Sequence, residues 1–266
     1  MIELNMQDVT LGYGRKLVVE NITLKAEPSD IVGLVGPNGC GKSTIIKALS
    51  RVISPFSGKI LLNGQNISRI PRRELACLLG VVPQVPLLPS NFTAFEIVLM
   101  GRNPHLGLFK YEGPKDLTIA WEAMEKTSTQ HLAQRKISEL SGGEIQCVVI
   151  ARVFAQETEV ILLDEPTANL DIGRQIEILD LIKGLCRKDG LTVLVSLHDL
   201  NLAAQYCDRL VLIDKGRIHA EGTPGEVINA DNIRQVYGAD SYIYAHPLSG
   251  LPAVLPTAGS SKHGQG

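Results

Sequence analysis

No apolar run in this 266-residue sequence approaches the roughly 20 residues a helix needs to cross a bilayer. Runs such as Val160 to Leu163 and Val193 to Val195 are far shorter, so any service to a membrane runs through a partner. The five cysteines (Cys40, Cys77, Cys147, Cys186, Cys207) are odd in number, widely spread and contain no C-x-x-C pair. That pattern argues against a disulfide framework or a zinc site and fits a reducing cytosol. Charge of either sign is not in excess: the net charge is -2, which disfavours a nucleic-acid partner. The opening Met1-Ile2-Glu3-Leu4-Asn5 has no basic flank followed by an apolar stretch and does not read as a secretion signal. No fixed-period repeat stands out. What is present is 44% hydrophobic and 20% charged residues, the balance of a globular chain with one large core or two smaller ones.

Short β-branched runs alternate with longer helical patterns, and four of the runs stop at a polar residue with chemistry to offer. Ile31 to Val35 runs into Gly36, Val81-Val82 leads to Gln84, Val160 to Leu163 stops at Asp164, and Thr192 to Leu197 stops at His198. Continuously apolar strands belong to parallel sheets covered on both faces, and ligands of such sheets sit beyond the carboxyl ends of the strands. The four ends are therefore expected to converge. Before them, runs such as Ile60-Leu61-Leu62-Asn63-Gly64 predict antiparallel strands and turns. Helical patterns at Ala94 to Met100 and Asp116 to Thr127 predict a mostly helical insertion at about 86–155, within a single domain over 1–247. The Gly-, Pro- and Ser-rich residues 248–266 are expected to form a flexible tail.

Gly36-Pro37-Asn38-Gly39-Cys40-Gly41-Lys42-Ser43-Thr44 matches G-x-x-x-x-G-K-[ST] between an apolar strand and the helical pattern Thr44 to Leu49. Glycines let the backbone curl so that N–H groups point inward at phosphate oxygens, and the helix adds its positive end. Lys42 supplies a mobile cation for the β- and γ-phosphates, the Ser43 hydroxyl is placed to ligate Mg²⁺, and Thr44 to donate to the α-phosphate. Cys40, beside Lys42 and a helix N-terminus, is expected to have a lowered thiol pKa. The adjacent carboxylates Asp164 and Glu165, closing an apolar strand, need a cationic partner. Magnesium supplies one, with Asp164 reaching it through its water shell and Glu165 left to orient or deprotonate an attacking water.

Leu140-Ser141-Gly142-Gly143-Glu144 completes the set, and with the preceding elements the chain resembles the ABC ATPases, whose hallmark is L-S-G-G-[QE]. Ser141 and Glu144 are also a capping box for the helix Ile145 to Ala155. The resemblance implies an α/β fold: a P-loop NTPase (RecA-like) core with a mostly parallel sheet, an N-terminal antiparallel β subdomain and an inserted helical subdomain. It implies an ATPase using Mg²⁺, built as two copies head to tail, in which Ser141, Gly142 and Gly143 of one copy meet the γ-phosphate held by the other. By the same resemblance Tyr13 stacks on adenine, Gln84 senses Mg²⁺ and γ-phosphate, Ala168-Asn169-Leu170-Asp171 contacts the opposite subunit with Asp171 coupling the sites, and His198 holds the γ-phosphate and the attacking water. Ile145-Gln146-Cys147 departs from the family where an arginine frequently follows the glutamine, which puts a stabilising ion pair there in doubt.

Leu99-Met100-Gly101-Arg102-Asn103-Pro104-His105-Leu106-Gly107, the stretch Leu197 to Ala203 and Ala220-Glu221-Gly222-Thr223-Pro224 look like the importer ATPases for iron–siderophore, haem and cobalamin complexes. Molybdate and tungstate importers use very similar ATPases, and soluble ABC proteins or a P-loop enzyme acting on a small substrate remain as alternatives. The importer reading implies a peripheral subunit on the cytoplasmic face of the membrane, polytopic permease partners and, indirectly, an external substrate-binding protein.

Overall fold

A computed structural model describes residues 2–107, 111–168 and 170–257. The chain opens with β1 (Leu4–Tyr13) and β2 (Lys16–Ala26), joined by a tight turn at Gly14, and returns to them with β4 (Ser57–Leu62) and β5 (Gln65–Asn66). These four form the antiparallel sheet β2-β1-β4-β5 that the alternating runs predict. Between its halves lie β3 (Ile31–Val35) and α1 (Lys42–Leu49).

The second sheet runs β10-β9-β3-β8-β7-β6, with β6 at Leu79–Val82, β7 at Val160–Asp164, β8 at Thr192–Ser196, β9 at Arg209–Asp214 and β10 at Arg217–Gly222. β3, β6, β7, β8 and β9 are parallel, and β10 folds back antiparallel on β9. Every residue of β3, β7 and β8 is buried, as expected of strands covered on both faces. One face packs with α1 and the antiparallel sheet, through Ile45, Ile46 and Leu49 against Leu34, Leu162 and Leu194. The opposite face packs under α6 (Ile172–Asp189) and α7 (Leu200–Tyr206), through Ile178, Leu179 and Ile182 against Leu163, Val193 and Val195.

Between β6 and β7 the chain holds α3 (Ala94–Leu99), α4 (Pro114–Lys126) and α5 (Gly142–Ala155), preceded by α2 (Arg72–Leu78). The three enclose their own small core of Ile97, Val98, Ala120, Met124, Leu132 and Val148. Arg102, on the 3-10 turn Met100–His105, is buried there and satisfied by Asp116 (3.0 Å), Glu157 (2.7 Å) and the Ala155 carbonyl (2.7 Å).

After α8 (Pro224–Val227) and α9 (Ala230–Tyr237), residues expected to belong to a flexible tail are structured instead. β12 (Pro252–Pro256) pairs antiparallel with β11 (Ser241–Ala245), because Val254 and Ile243 have apolar side chains to place on the main core. Residues 258–266 of that expected tail lie outside the described residues.

Candidate active site

The strand ends do converge. Beyond β3 the chain curls through Gly36 (φ +145°), Gly39 (φ +78°) and Gly41 (φ +115°) into α1. Gly36 is required twice over, since a Cβ there would stand 2.2 Å from the Ile213 carbonyl oxygen. Lys42 is buried, and its ammonium donates to the Gly36 (2.7 Å) and Pro37 (3.2 Å) carbonyls. The curl thus fixes a cation inside a ring of backbone groups. Its open side faces a cavity of about 350 Å³, lined by Val18, Asn38, Gly39, Gly41, Lys42, Ser43, Thr44, Gln84, Glu165 and His198.

Across that cavity the second strand end is wired to the first. The Ser43 hydroxyl donates to Asp164 Oδ1 at 2.9 Å. Asp164 also accepts from the Ser196 hydroxyl at 2.9 Å, and the same Ser196 oxygen accepts the Glu165 backbone N–H at 2.9 Å. Glu165 sits at φ +50°, a left-handed conformation that a non-glycine residue adopts at a cost of about 1–3 kcal/mol. This twist sends its side chain away from Asp164 and between the other two strand ends. Gln84 Nε2 donates to Glu165 Oε2 at 2.5 Å, and His198 Nε2 lies 2.6 Å from Glu165 Oε1. Glu165 is 8% exposed, so its carboxylate is fixed by two named donors in a largely water-shielded place.

Tyr13 closes β1 half-exposed beside α1, with Lys47 Nζ 6.0 Å from its ring centroid, and it does not line the cavity. Cys40 corrects an expectation. Its side chain is 5% exposed under the loop with Lys42 Nζ at 3.9 Å, and burial pushes its thiol up, outweighing the Lys42 charge that pulls the other way.

Ser141, Gly142 and Gly143 do not line this cavity. Ser141 is the N-cap of α5 in a reciprocal box: its N–H and hydroxyl donate to Glu144 Oε2 (2.7 and 2.8 Å), and its oxygen accepts the Glu144 N–H (3.4 Å). Those bonds, the Ser141 backbone N–H first, hold the Glu144 carboxyl below its usual range. Although Ile145 and Cys147 occupy the departure from the family pattern, Glu144 has a cationic neighbour, Arg135 at 3.3 Å. Asp171 is the N-cap of α6, accepting the Arg174 N–H at 3.0 Å, and Asn169 lies outside the described residues.

Sequence reasoning missed Ser196, whose hydroxyl bonds both the Asp164 carboxylate and the Glu165 backbone N–H. Its signal was faint: a hydroxyl closing an apolar strand, overshadowed by His198 two residues on. Val18, which lines the cavity from β2, was missed as an ordinary strand residue.

Residues 19–168 match the family model described as ABC transporter. The chain is 40% identical over 250 residues to the ferric enterobactin transport ATP-binding protein of Escherichia coli, covering 94% of this chain and 92% of that protein. It is 42% identical over 262 residues to the hemin import ATP-binding protein of Gloeobacter violaceus, covering 94% of each. Among solved structures, an inward-facing conformation of a proposed metal-chelate type ABC transporter superposes with a TM-score of 0.84 at 27% identity, covering 97% of this chain and 98% of that one.

Proposed function

Since the chain belongs to the ABC transporter family as an ATP-hydrolysing subunit, we propose that it powers import of a metal chelate, an iron–siderophore, haem or cobalamin complex, by hydrolysing ATP between two copies of itself. The observation that carries the mechanism is the Glu165 carboxylate, held by Gln84 and His198 at the rim of the phosphate loop. In this reading the loop backbone and Lys42 bind the triphosphate, Thr44 adds a hydroxyl donor, and Tyr13 stacks on the adenine from the end of β1. Pro37, Asn38 and Cys40 shape the curl.

Ser43, Asp164 and Gln84 offer a donor set of oxygen only, because Gln84 commits its NH₂ to Glu165 and keeps its carbonyl oxygen free. Such a set suits Mg²⁺, a hard cation that prefers few protein ligands beside substrate phosphate oxygens. When bound, Mg²⁺ neutralises charge on the β- and γ-phosphates. Glu165 accepts a proton from water as the water oxygen bonds to the γ-phosphorus and the bond from that phosphorus to the bridging oxygen of ADP breaks. His198 orients Glu165 and contributes a donor where charge develops on the γ-phosphoryl oxygens.

Ser141, Gly142, Gly143 and Asp171 come from the second copy in this reading. No helix of the described residues is long and apolar enough to cross a membrane. The relatives, transport and import ATP-binding proteins, support polytopic permease subunits as the partners and a peripheral place at the cytoplasmic face. The external substrate-binding protein is reached only through them.

The test is to purify the tagged chain from detergent-solubilised membranes, identify the polytopic protein that accompanies it, and reconstitute the pair with its binding protein in vesicles. ATP hydrolysis is expected to rise with a ferric siderophore, haem or cobalamin as cargo and to ignore molybdate. Stimulation by molybdate alone refutes the cargo, and the absence of any membrane partner refutes the importer reading.

A further inference from the structure

His198 stands on a three-residue link, Leu197 to Asp199, between the end of β8 and the start of α7. β8 is fully buried and fixed on both sides by parallel neighbours. The other end of the link is weaker. α7 has only seven residues, too few for a helix to hold its shape alone, and its N-cap Asp199 merely satisfies the first turn, accepting from the Asn201 (2.7 Å) and Leu202 (3.0 Å) N–H groups. Something outside the helix has to fix its position if the imidazole is to stay 2.6 Å from Glu165.

Ala203 and Ala204 bury one side of the helix, and Lys183 Nζ and Asp180 hold its last turn through the Gln205 carbonyl and the Tyr206 hydroxyl (2.9 Å each), but the first turn, next to His198, is attached through Asn201. Its Oδ1 accepts the Val254 N–H at 2.7 Å and its Nδ2 donates to the Val254 carbonyl at 3.3 Å. One side-chain amide therefore takes both main-chain groups of one residue on β12, as a third strand would. Four residues on, one helical turn away, Gln205 donates to Ser249 Oγ at 3.0 Å. The dependence is mutual, because a two-stranded hairpin is marginal by itself and this one consists only of β11 and β12. Leu200 and Leu202 of α7 and Ile243 and Val254 of the hairpin all pack on the same core.

We propose that Asn201 is a positioning residue for ATP hydrolysis: by clamping α7 to the C-terminal hairpin it sets where His198 stands, which makes the hairpin a working part of the ATPase site. The proposal rests on the role assigned to His198 above. Asn201 touches no reacting group, so its removal acts on the chemical step and leaves the phosphate loop as it was.

The experiment is a double-mutant cycle on the full chain, measuring kcat and KM for ATP in the wild type, Asn201→Ala, His198→Ala and the double variant, with thermal unfolding alongside. Displacing a catalytic group by about 1 Å costs up to roughly 10²-fold in rate, and a tethered helix that loosens is expected to lose about tenfold. Asn201→Ala is expected to lower kcat by about that factor, to leave KM within about twofold, and to have no further effect once His198 is alanine. Full activity in His198→Ala overturns the reading of His198 itself. An impaired His198→Ala with Asn201→Ala either fully active or multiplying the loss by the same factor overturns the clamp. Should Asn201→Ala fail to fold, Asn201→Asp, which keeps the acceptor for the Val254 N–H and loses the donor, takes its place; an intermediate loss of kcat that disappears in the His198→Ala background supports the clamp, and wild-type kcat refutes it.

Discussion

Replacing Ser196 by alanine removes one oxygen and two bonds, and both bonds end on the acidic pair. The hydroxyl donates to Asp164 Oδ1 at 2.9 Å and accepts the Glu165 N–H at 2.9 Å, at a residue with no exposed surface. Losing a hydrogen bond to a charged group costs about 1.5–3 kcal/mol, and leaving a buried amide without an acceptor costs about 1–3 kcal/mol. Asp164 keeps its bond from Ser43, which limits the first loss, so the net destabilisation is expected at about 2–4 kcal/mol. That fits inside the roughly 5–15 kcal/mol of a typical domain, and the variant should fold.

The kinetic consequence is of similar size, because a 10²-fold loss in rate corresponds to about 2.7 kcal/mol. Glu165 holds a left-handed backbone with the Ser196 oxygen as acceptor for its N–H. Released from it, the residue relaxes toward an ordinary conformation and carries its carboxylate away from Gln84 and His198. A shift near 1 Å implies a loss in kcat of about 10²-fold. ATP affinity, which the proposed function assigns to the loop backbone and Lys42, should move by less than about threefold. Urea unfolding followed by circular dichroism gives the stability, steady-state phosphate release gives kcat, and titration with a fluorescent nucleotide gives affinity. A Ser196→Ala protein with wild-type urea midpoint and wild-type kcat would refute the reasoning at its root.

Four further outcomes are expected. Glu165→Gln keeps ATP binding and loses about 10²- to 10⁴-fold in single-turnover hydrolysis, the usual range for removing a general base, and near-normal turnover would dismiss the assignment. Arg102→Met takes the donor from the buried Ala155 carbonyl and the cation from Asp116 and Glu157, whose side chains are 16% and 52% exposed and so stay solvated; the cost in urea unfolding is expected at about 1–3 kcal/mol, and a wild-type midpoint would refute a structural role for the buried guanidinium. The Gly113 N–H and then Arg102 hold the Asp116 carboxyl below its usual range, so its contribution is present above the unfolded value near pH 4 and is lost as pH falls toward the lower folded value. At pH 7.5 iodoacetamide should label Cys40, Cys186 and Cys207 slowly, because burial pushes all three thiols up, Cys186 to about 11, while all five cysteines react once unfolded. Rapid native labelling of Cys40, read by peptide mass, would show that the phosphate loop opens far more than its packing suggests.

The sequence displayed what depends on neighbours along the chain. Glycines at 36, 39 and 41 announce a curl because positive φ is written into the residue type, and Ser141 with Glu144 announces a cap because the partners are three residues apart. The strand-end residues were legible through the apolar runs before them. What stayed hidden joins distant positions. Ser196 reaches Asp164 across 32 residues, Asn201 reaches Val254 across 53, and Arg102 reaches Ala155 across 53 as well. Periodicity carries no information about such pairs. Cys40 failed for a related reason, since the chemistry beside it in sequence points one way and the burial imposed by the rest of the fold points the other.

The same distinction bears on why the cavity calls for a second copy. Its lining comes from the phosphate loop, from β2 and from the three strand ends that hold Glu165, and none of it comes from the start of α5. That helix runs 14 residues, long enough to carry a full positive end, and Ser141 spends its side chain on Glu144 alone. A Cβ added at Gly142 would meet nothing within 4 Å, so the first turn presents bare backbone to whatever approaches it. Asp171 likewise spends its carboxylate oxygen on the Arg174 N–H and caps its own helix. Both motifs are thus complete as local structure and idle as chemistry within one chain. In the proposed function, a γ-phosphate on Lys42 and Ser43 of a second copy supplies the anion for the bare end of α5. On that reading, loss of the phosphate on hydrolysis would remove the ligand shared between the two halves and let them part.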